Sequence, residues 1–201
     1  MNKKYISSAV FLLTATAASF AAPTIFNASF EAPDTANEAW QPTLLDQGGT
    51  GWEFAASAFR AGIVQDNNVS FASYDAADGT QMGSVWSGGD EIAQNVGGFA
   101  IGETYTISWS ERARQGYTGG LWVLMDGLTI DAAHAVSDAS WVAKSISFTA
   151  TAETHRLRFF HSGAWDTMTH IDNVSIIPEP GTYALIGGML SLTVVMLRRR
   201  R

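Results

Sequence analysis

Seven Trp and five Tyr stand in 201 residues, more than one core of this size needs. Several of them fall where a strand pattern turns them outward. Trp86, in Val85-Trp86-Ser87-Gly88-Gly89, and Trp165, in Gly163-Ala164-Trp165-Asp166, lie in predicted loops, as does Tyr117. Trp122 is out of phase with Leu121 and Val123 and shares a face with Asp126. Arg112, Arg156 and Arg158 occupy the polar faces of their strands. Pyranose rings stack their C–H faces on aromatic rings, and their hydroxyls need planar donors and acceptors. For each residue alone the plainer reading is a partly exposed surface side chain. As a set they describe the apolar and polar sides of a concave ligand site. Trp109 is in phase with core residues, and Trp52 and Trp141 open strands, so these three are expected to pack inside.

Catalytic chemistry finds less support. Paired carboxylates about 5–9 Å apart serve glycoside hydrolysis, and with so many acidic residues some pair meets that spacing by chance. Asp90-Glu91 and Asp75/Asp78 read as solvated turns. Of the four histidines (His134, His155, His161, His170), none shows the i, i+4 helical spacing of a zinc protease. Alternation puts His155 and His161 on one face but about 20 Å apart, too far to share an ion. No Gly-x-Ser-x-Gly elbow and no phosphate-cradling glycine loop occurs. The absence of Cys removes thiol catalysis, disulfides and Cys-ligated zinc. Residues 22–177 hold six basic and eighteen acidic side chains, a net charge of −12. Phosphate neutralisation needs Lys and Arg, so nucleic-acid partners are excluded. A non-enzymatic protein is the expectation, with a small hydrolase as the remote alternative.

The elements that would position these residues are strands. Tyr105, Ile107 and Trp109 alternate with Thr106 and Ser108; Leu121, Val123 and Met125 share a face, as do Ile146 and Phe148. Leu157 and Phe159 oppose Arg156 and Arg158. Ile171, Val174 and Ile176 close the series, and their broken period predicts a kink near Asn173. The glycine pairs 48–49, 88–89, 97–98 and 119–120, with Gly102, are read as turns. Nine or ten short antiparallel strands over residues 22–177 predict an all-β, two-sheet sandwich or jelly roll.

The two ends read as transport signals. Lys3 and Lys4, an apolar stretch to Ala18 and the small residues of Ser19-Phe20-Ala21 form a secretory signal over residues 1–21. At the other end, Pro178-Glu179-Pro180 precedes an apolar run to Leu197 and four arginines. As a helix, residues 181–197 would reach about 26 Å, a short transmembrane span. The arginines would stay on the cytoplasmic side. Residues 178–201 resemble the PEP-CTERM sorting signal of Gram-negative bacteria. The resemblance implies an exosortase as processing partner and a cell-surface or matrix destination beside exopolysaccharide. In it Pro178 and Pro180 keep the motif extended for the enzyme at the membrane face.

A second resemblance spans the body. Asn27-Ala28-Ser29-Phe30-Glu31, Gly51-Trp52, Asp78-Gly79-Thr80-Gln81, Ile92 to Val96, Gly102 to Ser108 and His170-Ile171-Asp172-Asn173-Val174 stand in one order. That order resembles the galactose-binding-like jelly rolls of many carbohydrate-binding modules. It implies a non-catalytic glycan-binding body and a structural calcium held by Glu31 and Asp172 with backbone carbonyls. The alternatives for calcium are that Glu31 caps a turn and Asp172 accepts backbone hydrogen bonds. The alternative for function is a structural or adhesive matrix protein without a sugar site.

Overall fold

The computed structural model describes residues 22–35, 51–55, 61–68 and 70–179. The expected signal segment, Pro180 and the apolar tail lie outside these residues. Ten strands and no helix are formed among them: β1 (Glu53–Ala55), β2 (Ala61–Gln65), β3 (Gln81–Val85), β4 (Glu91–Gly97), β5 (Thr104–Ala113), β6 (Gly119–Met125), β7 (Leu128–Val136), β8 (Val142–Thr149), β9 (Thr154–His161) and β10 (Thr169–Pro178). They build two antiparallel five-stranded sheets. We name as sheet A the order β2-β3-β10-β5-β8, and as sheet B the order β1-β4-β9-β6-β7. The expected all-β sandwich is the fold.

The period-2 pattern fixes which side chains meet between the sheets. On β5 Tyr105, Ile107 and Trp109 point inward, and on β9 His155, Leu157, Phe159 and His161 do so. Phe30 stacks on Trp52 at 5.0 Å between ring centroids. Phe159 then lies 6.2 Å from Trp52 and 5.8 Å from Trp109, so aromatic contacts cross the interior from sheet to sheet. Trp52 and Trp109 are buried as expected, whereas Trp141 is half-buried, packed edge-on to Tyr74.

The predicted kink is a bulge. Asn173 takes a left-handed φ of 49°, and the pairing of β10 with β5 slips between Asp172 and Ser175. An extra residue in one strand is what shifts Val174 and Ile176 out of phase with Ile171. Two readings fail. Gly119 and Gly120 are not a turn but the first residues of β6. A Cβ on Gly119 would stand 2.2 Å from Thr169 Oγ1, and one on Gly120 2.5 Å from the Gly163 nitrogen. Here glycine serves close backbone approach. Nor are Asp90 and Glu91 solvated; both are buried, at 0% and 8% exposure.

The two outer faces differ. Residues 66–68 and 70–80, between β2 and β3, lie over the outer face of sheet A. They bury Ala72 and Tyr74 with Val64 and Met82, backed by Phe71, Ala76 and Trp141. Tyr74 donates its hydroxyl to the Ala113 carbonyl at 2.8 Å. This cover explains why every residue of β3 is buried. On sheet B, Trp122, Arg156, Arg158 and Phe160 remain half-exposed in their outward positions.

The sandwich also has two distinct ends. Thr169 at the start of β10 pairs with Val85 and Ala113, so loops 86–90, 114–118 and 162–168 cluster at one end. Pro178 pairs with Tyr105 at the other end, beside loops 98–103 and 150–153.

Candidate functional site

The seven ligand-site candidates fall into two groups and one outlier. Trp122, Arg156 and Arg158 come together on the outer face of sheet B. Register places Trp122 opposite Phe160, Arg158 opposite Ala93 and Arg156 opposite Asn95. Trp122 meets Phe160 edge-on at 5.8 Å and donates its indole N–H to Thr129 Oγ1 at 3.0 Å. Arg156 grips Glu53 through two bonds, 2.9 and 2.7 Å, and lies 4.0 Å from Glu91. Arg158 donates to Glu91 Oε2 from Nε at 2.8 Å and also from Nη2. Charge-assisted forks of this kind hold guanidinium planes in fixed orientation. Glu53 is accordingly held below the usual carboxylate range, first by its hydrogen bond with Arg156. From Arg156 to Phe160 the outward row runs about 13 Å. It places an aromatic pair at one end and two charge-compensated planar groups along the rest.

Trp86 and Tyr117 converge at the end where loops 86–90, 114–118 and 162–168 meet. Asp166 Oδ1 accepts the Trp86 indole N–H at 2.6 Å and an Arg114 Nη1–H at 3.0 Å. Phe71, from the excursion over sheet A, packs edge-on to Trp86 at 5.6 Å. Tyr117 lies beneath the Arg114 guanidinium at 4.8 Å. Trp165, next to Asp166 in the chain, is 73% exposed. Alternation gave no reason to select Phe71 or Asp166, and Arg114 stands one residue past the end of β5. The available signal was the adjacency of Trp165-Asp166 and Arg114-Gln115-Gly116-Tyr117.

Arg112 joins neither group. Its guanidinium stacks on the Tyr74 ring at 3.5 Å and its Nε–H bonds the Asp138 carbonyl at 3.0 Å. It props the covering excursion on sheet A and takes no place in a concave site.

The expected calcium ligands Glu31 and Asp172 both face the turn at residues 77–81. Glu31 Oε1 accepts N–H bonds from Thr80 and Gln81 at 2.9 and 2.8 Å, and Oε2 accepts the Thr80 hydroxyl at 3.1 Å. Asp172 Oδ2 accepts N–H bonds from Ala77 and Asp78 at 2.8 and 2.9 Å, and Oδ1 accepts that of Asn173 at 2.7 Å. Gly79 permits the approach, with φ of 72° and a Cβ position 2.4 Å from Glu31 Oε1. Burial pushes Asp172 up to about 7, its backbone hydrogen bonds opposing and the Asp78 charge adding to the rise. Among the described residues no Lys or Arg pairs with Asp172, and no three His, Asp or Glu side chains are placed to hold a metal ion. Oδ1 of Asp172 and Oε2 of Glu31 each accept only one of these bonds, and carboxylate oxygens are the donor type that a hard cation takes.

Two further polar pairs each involve a buried histidine. Ser84 Oγ bonds His170 Nδ1 while His170 Nε2 faces the Phe71 carbonyl at 3.2 Å, but both residues are fully buried under the excursion. Burial drives His170 down to about 3, leaving the imidazole neutral. His155 bonds Asp126 through Nδ1, and its Nε2 accepts the Thr151 and Ala152 N–H groups at 3.2 Å, fixing the tautomer in a structural role.

The first two residues of the expected Pro178-Glu179-Pro180 motif meet the body directly. Pro178 ends β10, the Glu179 N–H bonds the Thr104 carbonyl at 2.9 Å, and the Glu179 carboxylate accepts the hydroxyls of Thr106, at 2.8 Å, and Ser147. The first two residues of the motif therefore lie along sheet A.

No protein-family model matches the sequence, and no curated protein matches it. Solved structures do match in fold. The CBM22-1 xylan-binding domain of Paenibacillus barcinonensis Xyn10C superposes with a TM-score of 0.52 at 17% identity, covering 80% of this chain and 97% of that domain. The tandem of two such modules from the same enzyme gives 0.57 at 15% identity, with 82% of this chain covering 48% of the tandem. A cyclase from Fischerella sp. TAU gives 0.55 at 16% identity, covering 81% and 99%. The fold is thus the jelly-roll sandwich of carbohydrate-binding modules, and a cyclase is built on it as well.

Proposed function

We propose that this chain is an exported, non-catalytic carbohydrate-binding protein that takes a polysaccharide chain along the outer face of sheet B. One observation carries the reading: Trp122, Phe160, Arg158 and Arg156 stand half-exposed together on one face, the two guanidinium groups held by Glu91, which is buried, and Glu53. The rings offer stacking surfaces for sugar C–H faces. The ion pairs offer fixed donors and acceptors whose charges cancel, which suits a neutral glycan. A row about 13 Å long accommodates more than one ring of a chain. The fold shared with xylan-binding modules supports the reading.

Affinity electrophoresis of the chain through gels containing soluble xylan, mixed-linkage β-glucan or β-1,4-galactan tests it. Retardation on at least one polymer, abolished by Trp122→Ala, is expected. Unretarded migration in all gels favours the competing reading, a matrix protein whose contacts are to other proteins.

The PEP-CTERM resemblance extends the proposal to export, exosortase processing at the tail and a surface or matrix location. Processing would occur close to the folded body, because Pro178 and Glu179 are bonded to sheet A. We further propose that Glu31 and Asp172 hold a structural calcium, completed by backbone carbonyls and water. The ion would neutralise Asp172 and clamp the turn at 77–81 between the first described segment and β10.

A further inference from the structure

We propose that Glu179 is a latch: the folded body holds this glutamate on the outer face of sheet A, and removal of the tail is limited by its release. The latch deepens, and rests on, the reading of residues 178–201 as an exosortase signal.

Three strands build it. Beyond the bulge, β10 runs antiparallel to β5 with Ile177 opposite Thr106 and Pro178 opposite Tyr105. The Glu179 N–H continues that ladder to the Thr104 carbonyl at 2.9 Å. Alternation then turns the Pro178 nitrogen away from β5, so the proline removes no donor from the ladder. The same alternation puts the Glu179 side chain on the face of Ser175 and Ile177, beside the outward hydroxyls of β5 and β8. Ser147 stands opposite Thr106. The Glu179 carboxylate reaches diagonally across that row, and its Oε1 accepts both the Thr106 hydroxyl, at 2.8 Å, and the Ser147 hydroxyl. These bonds, that of Ser147 first, hold Glu179 below the usual carboxylate range.

The two handles that the glutamate offers an enzyme, its charge and its main chain, are thus both engaged by the body. Chain reach turns this into competition. Pro180, Gly181 and Thr182 alone stand between Glu179 and the apolar run that begins at Tyr183. Fully extended, three residues span about 10 Å, too little for an enzyme at the membrane face to grip the motif while the body keeps Glu179. Release of Pro178 and Glu179 lengthens the span to about 17 Å. That release leaves the core intact, because Ile177, Pro178 and Glu179 are all exposed at the end of β10. The latch acts before any peptide bond is broken.

Two measurements test it: pulse-chase of the chain in a Gram-negative host that carries an exosortase, and amide hydrogen exchange of the full-length chain in detergent. The Glu179 amide is expected to be protected in the unaltered chain. In Thr106→Ala/Ser147→Ala it should exchange about fivefold faster, with tail removal quickened by a similar factor and the melting midpoint unchanged. Thr149→Ala, on the same face of β8 but bonded to Thr104 and not to Glu179, should change neither rate. Equal rates of tail removal in the double variant and the unaltered chain overturn the latch and leave the sorting reading standing, as does an unprotected Glu179 amide in the unaltered chain. Retention of the tail in every variant contradicts the sorting reading itself, and the latch's part in processing with it.

Discussion

The outer faces of the two sheets are made from the same strand chemistry and end in opposite states. On sheet A the excursion 66–80 lies over β2, β3 and β10, and its outward polar residues Ser84, His170 and Asp172 are sealed with backbone and side-chain partners. On sheet B Arg156 and Arg158 pair with Glu53 and Glu91, and all but the buried Glu91 stay in reach of solvent. The difference separates polar groups closed off by the covering segment from polar groups that, on the proposed reading, would serve a ligand. Those of sheet A meet backbone and buried side-chain partners; those of sheet B are satisfied sideways by neighbouring side chains.

Breaking the cover should cost the most stability. Tyr74→Ala removes a buried ring, its hydroxyl bond to Ala113 and the support of Arg112, and should destabilise by about 3 kcal/mol in denaturant unfolding. Glycan retention should survive, since sheet B is untouched. Next comes Arg158→Ala, which strands Glu91 at 8% exposure; about 1–2 kcal/mol is expected, discounted from a fully buried pair because Arg158 is partly solvated.

The turn at 77–81 gives a smaller, pH-dependent effect. Asp172 is raised from 3.8 to about 7 in the folded chain, so the native state binds the proton more tightly than the unfolded state. Its contribution to stability is greatest below pH ~4 and is lost as pH rises toward 7. Bound calcium should flatten that slope and raise the melting midpoint near pH 7, and a chelator should restore both. An unchanged midpoint and slope would remove the ion from the account. Smallest of all is the stability change on Trp122→Ala, below about 1 kcal/mol for a half-exposed ring on an open face.

Much of this was legible in the residues. Alternation identified β5 and β9 together with their inward faces, and the broken period at Asn173 marked the bulge, because a pleated strand has no other way to lose phase. Other features were hidden for physical reasons. Phe71 and Tyr74 sit in a stretch without periodicity, so nothing local showed that it folds over a sheet. Arg112 and Arg114 share a phase, but β5 ends at Ala113 and the chain turns Arg114 into the loop end. Glu91 reads as a turn residue until β9 supplies Arg158 beside it, a contact across 67 residues. One missed signal was local: Asp126-Gly127, with φ of 51° and 81°, is the two-residue hairpin turn between β6 and β7.

The row on sheet B is tested most directly by comparing Trp122→Ala with the unaltered chain in affinity gels, using thermal unfolding to confirm an equal fold. The account predicts that retardation by a neutral polysaccharide vanishes while the melting midpoint moves by no more than a few degrees. Undiminished retardation of the folded variant would contradict it.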